Sequence, residues 1–298
     1  MNMTKMDLTV VLLQYNKANL TIDCLESLLS FYSHEDFDIV VGDNDSNNDE
    51  KLKLSRYLSG KKYIKHIEFQ ENHGFAKAHN LMIKKLTTKY VLLLNNDTLI
   101  LDDGISKIYN YIKDCNNAVG TCTLLNPDLT YQENCSGYFG FPAPVKSIYF
   151  NLKNKIFPNS EYKLKSYCNG AFLMIEREQY NLINGFNEDL FMYSEDLDLM
   201  IKLNKCIKNF KVLKFDNVRT VHIGGASSAQ KWDDESKALL QIRQGNKVVK
   251  MHYGYIVNFV VGSFYGAIKL IDVLKEFVFF NPKLAKLKFK KIMFRLFQ

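Results

Sequence analysis

The sequence contains no Gly-x-Gly-x-x-Gly segment and no Walker loop, and its first turn, Gln14-Tyr-Asn-Lys-Ala18, has no glycine at all. A dinucleotide-binding fold needs glycine there so that the backbone can approach a pyrophosphate, and that class is excluded. Sugar nucleotidylyltransferases, which also use a Gly-rich basic loop at this turn, are excluded with it. The six cysteines (Cys24, Cys115, Cys122, Cys135, Cys168 and Cys206) include no Cys-x-x-Cys pair, which rules out zinc-site spacing. No apolar run follows Met1 as a secretory signal would, so the expectation is an intracellular chain with reduced, mostly buried thiols. Net positive charge is scarce over most of the chain. From Tyr255 onward eight Lys or Arg oppose only Asp272 and Glu276, a net +6 out of +7 for all 298 residues. A basic field for nucleic acid is therefore not expected.

What is present is an ordinary globular composition, 47% hydrophobic and 24% charged, enough for a sizeable core. Apolar runs at Leu8–Leu13, Phe37–Gly42, Tyr63–Phe69 and Tyr90–Leu94 read as strands. Helical patterns at about Asn19–Phe31 and Phe75–Leu86 lie between them. Strand, helix, strand with short connections predicts an α/β fold, a Rossmann-like and mostly parallel sheet with helices on both faces. Ligands of such sheets sit beyond the carboxyl ends of the strands. The polar clusters Gln14-Tyr-Asn16, Asp43-Asn-Asp45 and Asn95-Asn-Asp97 all fall there. The stretch 118–166 holds four of the five prolines and is expected to be irregular, with short strands shaping an acceptor side. Tyr167–Ile175 reads as a further strand and Glu195–Cys206 as a helix. The expected division is a catalytic domain over 1–235, split into a nucleotide-binding half (1–117) and an acceptor-binding half (118–235), followed by a helical extension over 236–298.

Two groups of carboxylates could carry chemistry. Asp97 at a strand end can hold Mg2+ or Mn2+ against a diphosphate, or can simply form a turn. Asp43 and Asp45 can likewise build an Asx-turn. The second group puts five acids between Glu188 and Asp198, with Phe186, Phe191 and Tyr193 around them. Interaction with the helix dipole accounts for one or two of these acids. A carboxylate among aromatics can become basic enough to act as a general base.

Taken in order from Val10 to about Tyr253, these segments resemble glycosyltransferase family two, the inverting GT-A enzymes, and in particular its bacterial rhamnosyltransferase-like branch. Val10–Asn16 is similar to the opening strand and loop, although Gln14 departs from the commoner Pro or Thr. Ile39–Ser46 resembles the turn whose acid, here Asp43, is implied to recognise the base. Glu71–Asn80 resembles a segment near the nucleotide, so the resemblance implies donor contacts from Gln14, Asn16, Asp43, Asn72, Gly74, Asn80, Asn96 and Asp97. Leu92–Asp97 stands in the place of the metal-binding DxD motif with Asn95 for its first acid. Asn169–Ile175 looks like the acceptor-side strand. Glu195-Asp196 matches the motif whose Asp is the implied catalytic base, with Glu195 beside it. Val221–Ser227 resembles the His-Gly-Gly segment that closes over the diphosphate, which makes His222 a candidate metal or phosphate contact, and Ile242–Lys247 is similar to the Arg-x-x-Asn helix.

The resemblance implies direct displacement from a nucleotide-sugar donor, with dTDP-rhamnose favoured, a divalent cation as cofactor, and a polyprenyl-diphosphate-linked glycan as acceptor. A UDP-hexose or UDP-N-acetylhexosamine transferase and a catalytically inactive binding subunit are the alternatives. In the tail, the uncharged stretch Tyr255–Ile268 is shorter than the ~20 residues of a spanning helix. Asn281-Pro282 can start a further helix. Ala285, Phe289, Ile292, Met293 and Leu296 would then form an apolar stripe among six basic residues, as an anchor on an anionic membrane surface does. The expected location is the inner face of the cell membrane, peripherally. The competing reading is helices packed on the protein or forming a homo-oligomer.

Overall fold

The structure, a computed structural model, describes residues 5–135, 155, 162–165, 167–224, 234–278 and 282–297. Ten strands form one mixed sheet: β1 (Leu8–Gln14), β2 (Asp38–Asp43), β3 (Ile64–Glu68), β4 (Tyr90–Leu94), β5 (Thr98–Ile100), β6 (Ala118–Leu125), β7 (Tyr131–Gln132), β8 (Lys163–Lys165), β9 (Phe172–Glu176) and β10 (Lys211–His222). Their order is β3-β2-β1-β4-β9-β6-β10-β5, with β7 beside β6 and β8 beside β10. The first four are parallel, as is β6 with β10, while β9 runs antiparallel to both β4 and β6.

The expected parallel α/β sheet follows from alternation along strands buried on both faces. Leu8, Val10 and Leu12 of β1 enter one core with Leu25 and Leu28 of α1 (Ala18–Leu29) and Leu54 of α2 (Asn48–Leu58). Val11 enters the other core with Met82 of α3 (Gly74–Ile83). Each such side chain contributes ~1.5–3 kcal/mol of burial. Gly42 lets α3 approach, since a Cβ there would stand 2.5 Å from the Met82 sulfur.

Helix α2 is absent from the sequence reading because only Leu54 and Leu58 along it are buried. Its ends are nonetheless well specified. The Asn47 side chain accepts from Glu50 N at 3.1 Å, Asp49 and Glu50 fill the first turn, and Arg56 lies in the last. Stretch 118–166 departs from the irregular expectation at its start: β6 is an eight-residue strand with seven buried positions. Most of the remainder of that stretch lies outside the described residues. The strand expected at Tyr167–Ile175 is confined to β9, Phe172–Glu176. Among the described residues this part also contains α4 (Gly104–Lys113), α5 (Arg177–Leu182) and α6 (Glu195–Cys206), the last with the expected bounds.

The chain divides into two compact units, residues 1–136 with 150–227, and 137–149 with 228–298. The second contains α7 (Asp234–Val278), broken at Gly254 (φ 83°), and α8 (Pro282–Phe297). Within it, Asn246 Nδ2 donates to the Arg295 carbonyl at 3.1 Å, and Lys290 pairs with Glu235. Along the apolar stripe expected on α8, Ile292 is buried, as is the neighbouring Arg295, whereas Phe289 and Met293 are exposed. The side chains of Ala285 and Leu296, and the cap Asn281, lie outside the described residues.

Candidate functional site

The ends of β1, β2, β4 and β10, helix α3 with the turn before it, and the start of α6 supply the candidate residues. At the ends of β1 and β2, Gln14, Asn16 and Asp43 form one network. Gln14 Nε2 donates to Asp43 Oδ2 at 2.7 Å, and Ser46 N donates to Asp43 Oδ1 at 2.8 Å. Asn16 N donates to Ser46 Oγ at 2.8 Å, and the Asn16 Oδ1 accepts from Asn47 N at 2.7 Å. Asp43 is thus fully buried with both oxygens engaged, and the Asx-turn is real. Gln14 Oε1 is buried with no hydrogen-bond partner among the described residues.

Asn72 and Gly74 belong to a second network around Asn44. The Asn44 amide donates to Asn72 Oδ1 and to the Gly74 carbonyl, at 3.1 and 3.2 Å. Gly74 has φ +72°, and a Cβ there would stand 2.6 Å from the Phe191 carbonyl. That close approach lets Phe75 N donate to Phe191 O at 3.1 Å, docking the acid-bearing loop onto α3. Asn80 makes a third set of contacts, with the segment that follows α5 (Arg177–Leu182). Its amide donates to the Phe186 carbonyl and Glu188, and its oxygen accepts from Tyr180 Oη and Phe186 N, so the whole group holds the 180–188 loop.

After β4, Asn96 turns inward and donates to Thr21 Oγ1 at 2.9 Å. Asp97 and His222, 125 positions apart in sequence, come together because β5 pairs antiparallel with β10 in the register Thr98↔His222. Asp97 Oδ1 lies 3.3 Å from His222 Nε2, and both side chains are largely buried. Asn95 Nδ2 also lies 3.3 Å from that nitrogen, and Gln132 Oε1 lies 2.6 Å from Nδ1. Two ligands cis on a cation at ~2.1–2.2 Å stand ~3 Å apart, so this donor pair fits Mg2+ or Mn2+ with other positions left to phosphate and water. Among the described residues no group of three His, Cys, Asp or Glu could hold a metal. Gly225, the second glycine of the segment after His222, lies outside the described residues.

The helix α6 begins with a strained turn. Tyr193 and Ser194 adopt φ 69° and 65°, consecutive left-handed residues that are not glycine, at a cost on the order of 1–3 kcal/mol each. The turn presents Glu195 and Asp196 in unlike surroundings. The Tyr167 hydroxyl donates to Asp196 Oδ2 at 2.8 Å, and Leu197 N donates to Oδ1 at 2.7 Å. Glu195 Oε2 is buried with no hydrogen-bond partner among the described residues. Burial, then the neighbouring Asp196, pushes the Glu195 carboxyl up to about 8. Burial also raises Asp196, against donations from Tyr167 and the Leu197 and Gly170 amides. The proton therefore belongs on Glu195, and Asp196 is the member that ionises.

One strand pair links the two groups. Leu94 of β4 opposes Phe172 of β9, and Asn95 N donates to Ala171 O at 3.0 Å. A Cβ on the adjacent Gly170 would stand 3.9 Å from Asp196 Cβ. Tyr167 and Gln132 escaped the sequence reading. Tyr167 stands two residues before the acceptor-side segment, whereas no local signal marks Gln132.

The profile of the family described as glycosyl transferase family 2 matches residues 9–181. The chain is 27% identical over 206 residues to the teichoic acid poly(glycerol phosphate) polymerase of Staphylococcus epidermidis, covering 68% of this chain but only 27% of that one. It is 26% identical over 199 residues to rhamnosyltransferase WbbL of Escherichia coli, covering 61% and 72%. Among solved structures, the mannosyltransferase PcManGT of Pyrobaculum calidifontis, in complex with GDP-Man and Mn2+, superposes with a TM-score of 0.61 at 14% identity, covering 98% and 86%. That last likeness bears on the fold, and the fold is the GT-A architecture expected from the sequence.

Proposed function

The chain belongs to glycosyl transferase family 2 and is a glycosyltransferase, and we propose that it moves a sugar with inversion from a nucleotide-diphosphate donor to a lipid-linked surface-glycan acceptor. The observation that supports this reading is the β4–β9 pair, which brings Asn95, two residues before Asp97, against Ala171, the residue after Gly170 that packs beside Asp196. Direct displacement requires two provisions, a base for the acceptor hydroxyl and stabilisation of the departing diphosphate.

In this reading Asp196 takes the acceptor proton while Glu195, kept protonated by burial, adds no competing charge. Asp97 and His222 hold a divalent cation, which when bound neutralises charge developing on the diphosphate. Gln14, Asn16 and Asp43 shape the nucleoside side, Asn72 and Gly74 seat the acid-bearing loop, and Asn80 and Asn96 act by positioning. Similarity to a protein named as a rhamnosyltransferase supports dTDP-rhamnose as donor, and similarity to one named for teichoic acid polymerisation supports a surface-polymer acceptor. The residues bear equally on UDP-hexose and UDP-N-acetylhexosamine. Asn95 in place of an acid favours a binding subunit without catalysis, and the unequal Glu195–Asp196 pair opposes it. A panel of dTDP- and UDP-sugars, with and without Mn2+, read by thermal shift and by donor hydrolysis, tests the assignment. Binding without any hydrolysis would leave the subunit reading.

Association with the inner face of an anionic membrane belongs to the same proposal. No helix among the described residues is long and apolar enough to cross a bilayer. Beyond the Gly254 break, however, Tyr255, Ile256, Phe259 and Val260 share one helix face and are 77%, 82%, 57% and 54% exposed. With the basic tail they fit a surface-lying anchor better than the partly buried stripe of α8 does.

A further inference from the structure

The contacts around His222 determine which of its nitrogens carries hydrogen. Gln132 Nε2 donates to the His222 carbonyl at 2.9 Å and to Asn126 Oδ1 at 3.0 Å. A backbone carbonyl only accepts, so turning the amide over would set two oxygens against each other. Its Oε1 is consequently the atom 2.6 Å from His222 Nδ1, and an amide oxygen also only accepts. Nδ1 must donate. On the other side of the ring, Asn95 Nδ2 donates toward Nε2 at 3.3 Å, which suits a lone pair there and is a long contact that a cation on the same lone pair would displace. The Asp97 carboxylate faces the same nitrogen at 3.3 Å. An ionised carboxylate has only lone pairs to offer, so it and a bare Nε2 repel unless a cation joins them.

We infer that Gln132 is a positioning residue that holds His222 as the Nδ1–H tautomer, so that its bare Nε2 and Asp97 converge as the two protein ligands of a divalent cation. This rests on the cation reading proposed above and deepens it. The hydrogen bond made by the remote nitrogen is what fixes a histidine ligand's tautomer and ring plane. Gln132 makes that bond from β7, a two-residue strand paired with β6, and its second amide contact locks the ring to its own backbone carbonyl. The competing account of the same distances is an imidazolium paired with Asp97, with hydrogen on both nitrogens.

The first test needs no ligand. Two-bond 1H–15N spectra of the 15N-labelled full chain, with His222 assigned by its loss in His222→Asn, should show Nδ1–H and a bare Nε2 at neutral pH. Hydrogen on Nε2, alone or on both nitrogens, overturns the inference whatever any variant does. The second test follows Mn2+–pyrophosphate binding by electron paramagnetic resonance. Gln132→Leu should weaken it by about 10–100-fold with the thermal midpoint near that of the parent, and parent-like affinity would overturn the inference. If Asp97→Ala loses binding while Gln132→Leu does not, the positioning role of Gln132 fails and the cation reading stands. If Asp97→Ala binds like the parent, the cation reading itself is wrong.

Discussion

Asp43 closes β2 and Asp97 stands in the turn between β4 and β5 of the same sheet, yet their surroundings differ in kind. Asp43 accepts from Gln14 and from the Ser46 amide, so its charge is already answered by the protein. Asp97 faces an imidazole nitrogen that offers it no hydrogen in the tautomer inferred above, so in the proposed reading its charge is left for a bound cation to answer. The α6 acids turn the contrast around at shorter range: the donors on Asp196 keep the proposed base ionised, while Glu195, whose Oε2 has none among the described residues, keeps its proton. An acid at a strand or helix end is thus a building part or a working part according to its partners rather than its type.

The sharpest way to break this contrast is at Asp196. Asp196→Asn keeps the size and removes the basicity, so donor binding should persist while turnover falls ~100- to 10,000-fold. Full activity would remove Asp196 from the chemistry. At Asp97, Asp97→Ala should abolish Mn2+-dependent turnover with little change in stability, because a charge that repels its neighbour is being removed. Asp43→Ala should do the reverse in part. It strands two buried donors and should cost about 1–3 kcal/mol in denaturant unfolding, with weaker donor binding as a consequence. Equal stability losses at Asp43 and Asp97 would erase the distinction between them.

These roles were legible in the sequence only where they depend on neighbours in the chain. The runs Leu8–Leu13 and Tyr90–Leu94 announce buried strands, and the acids of Glu195–Asp198 announce a helix start. Helix α2 stayed hidden because its specification lies in caps rather than in an apolar face. Strand β10 stayed hidden because Lys214, Asp216 and Asn217 interrupt its pattern, although Lys214 and Asp216 meet in an ion pair at 2.8 Å. Candidate residues were found by resemblance, but whether each is spent or available was not. The pairing of β5 with β10 joins positions more than a hundred residues apart through a three-residue strand, which carries no periodicity to read.

A smaller effect sharpens the α6 contrast. Glu195 is raised from its ordinary 4.5 to about 8, so the folded protein holds a proton there that the unfolded chain releases. Its contribution to stability is full below about 4.5 and is lost as pH rises through about 8. Glu195→Gln lacks that loss, and its melting temperature should gain on the parent's steadily from pH 5 to pH 8. A constant difference across that range would put the proton elsewhere. Smallest in its bearing on chemistry is the tail. Replacing Tyr255, Ile256 and Phe259 with serine should reduce flotation with anionic vesicles more than removing residues 281–298 does, and high salt should weaken what remains. Flotation unchanged by the serine replacements would favour packing or self-association of α7.

The central claim is inverting transfer by direct displacement with Asp196 as base. It is tested most directly by the anomeric proton of the sugar first released when the parent enzyme hydrolyses its nucleotide-sugar donor, followed by NMR before mutarotation. The account predicts a configuration inverted from that of the donor. Initial release with retained configuration would contradict it.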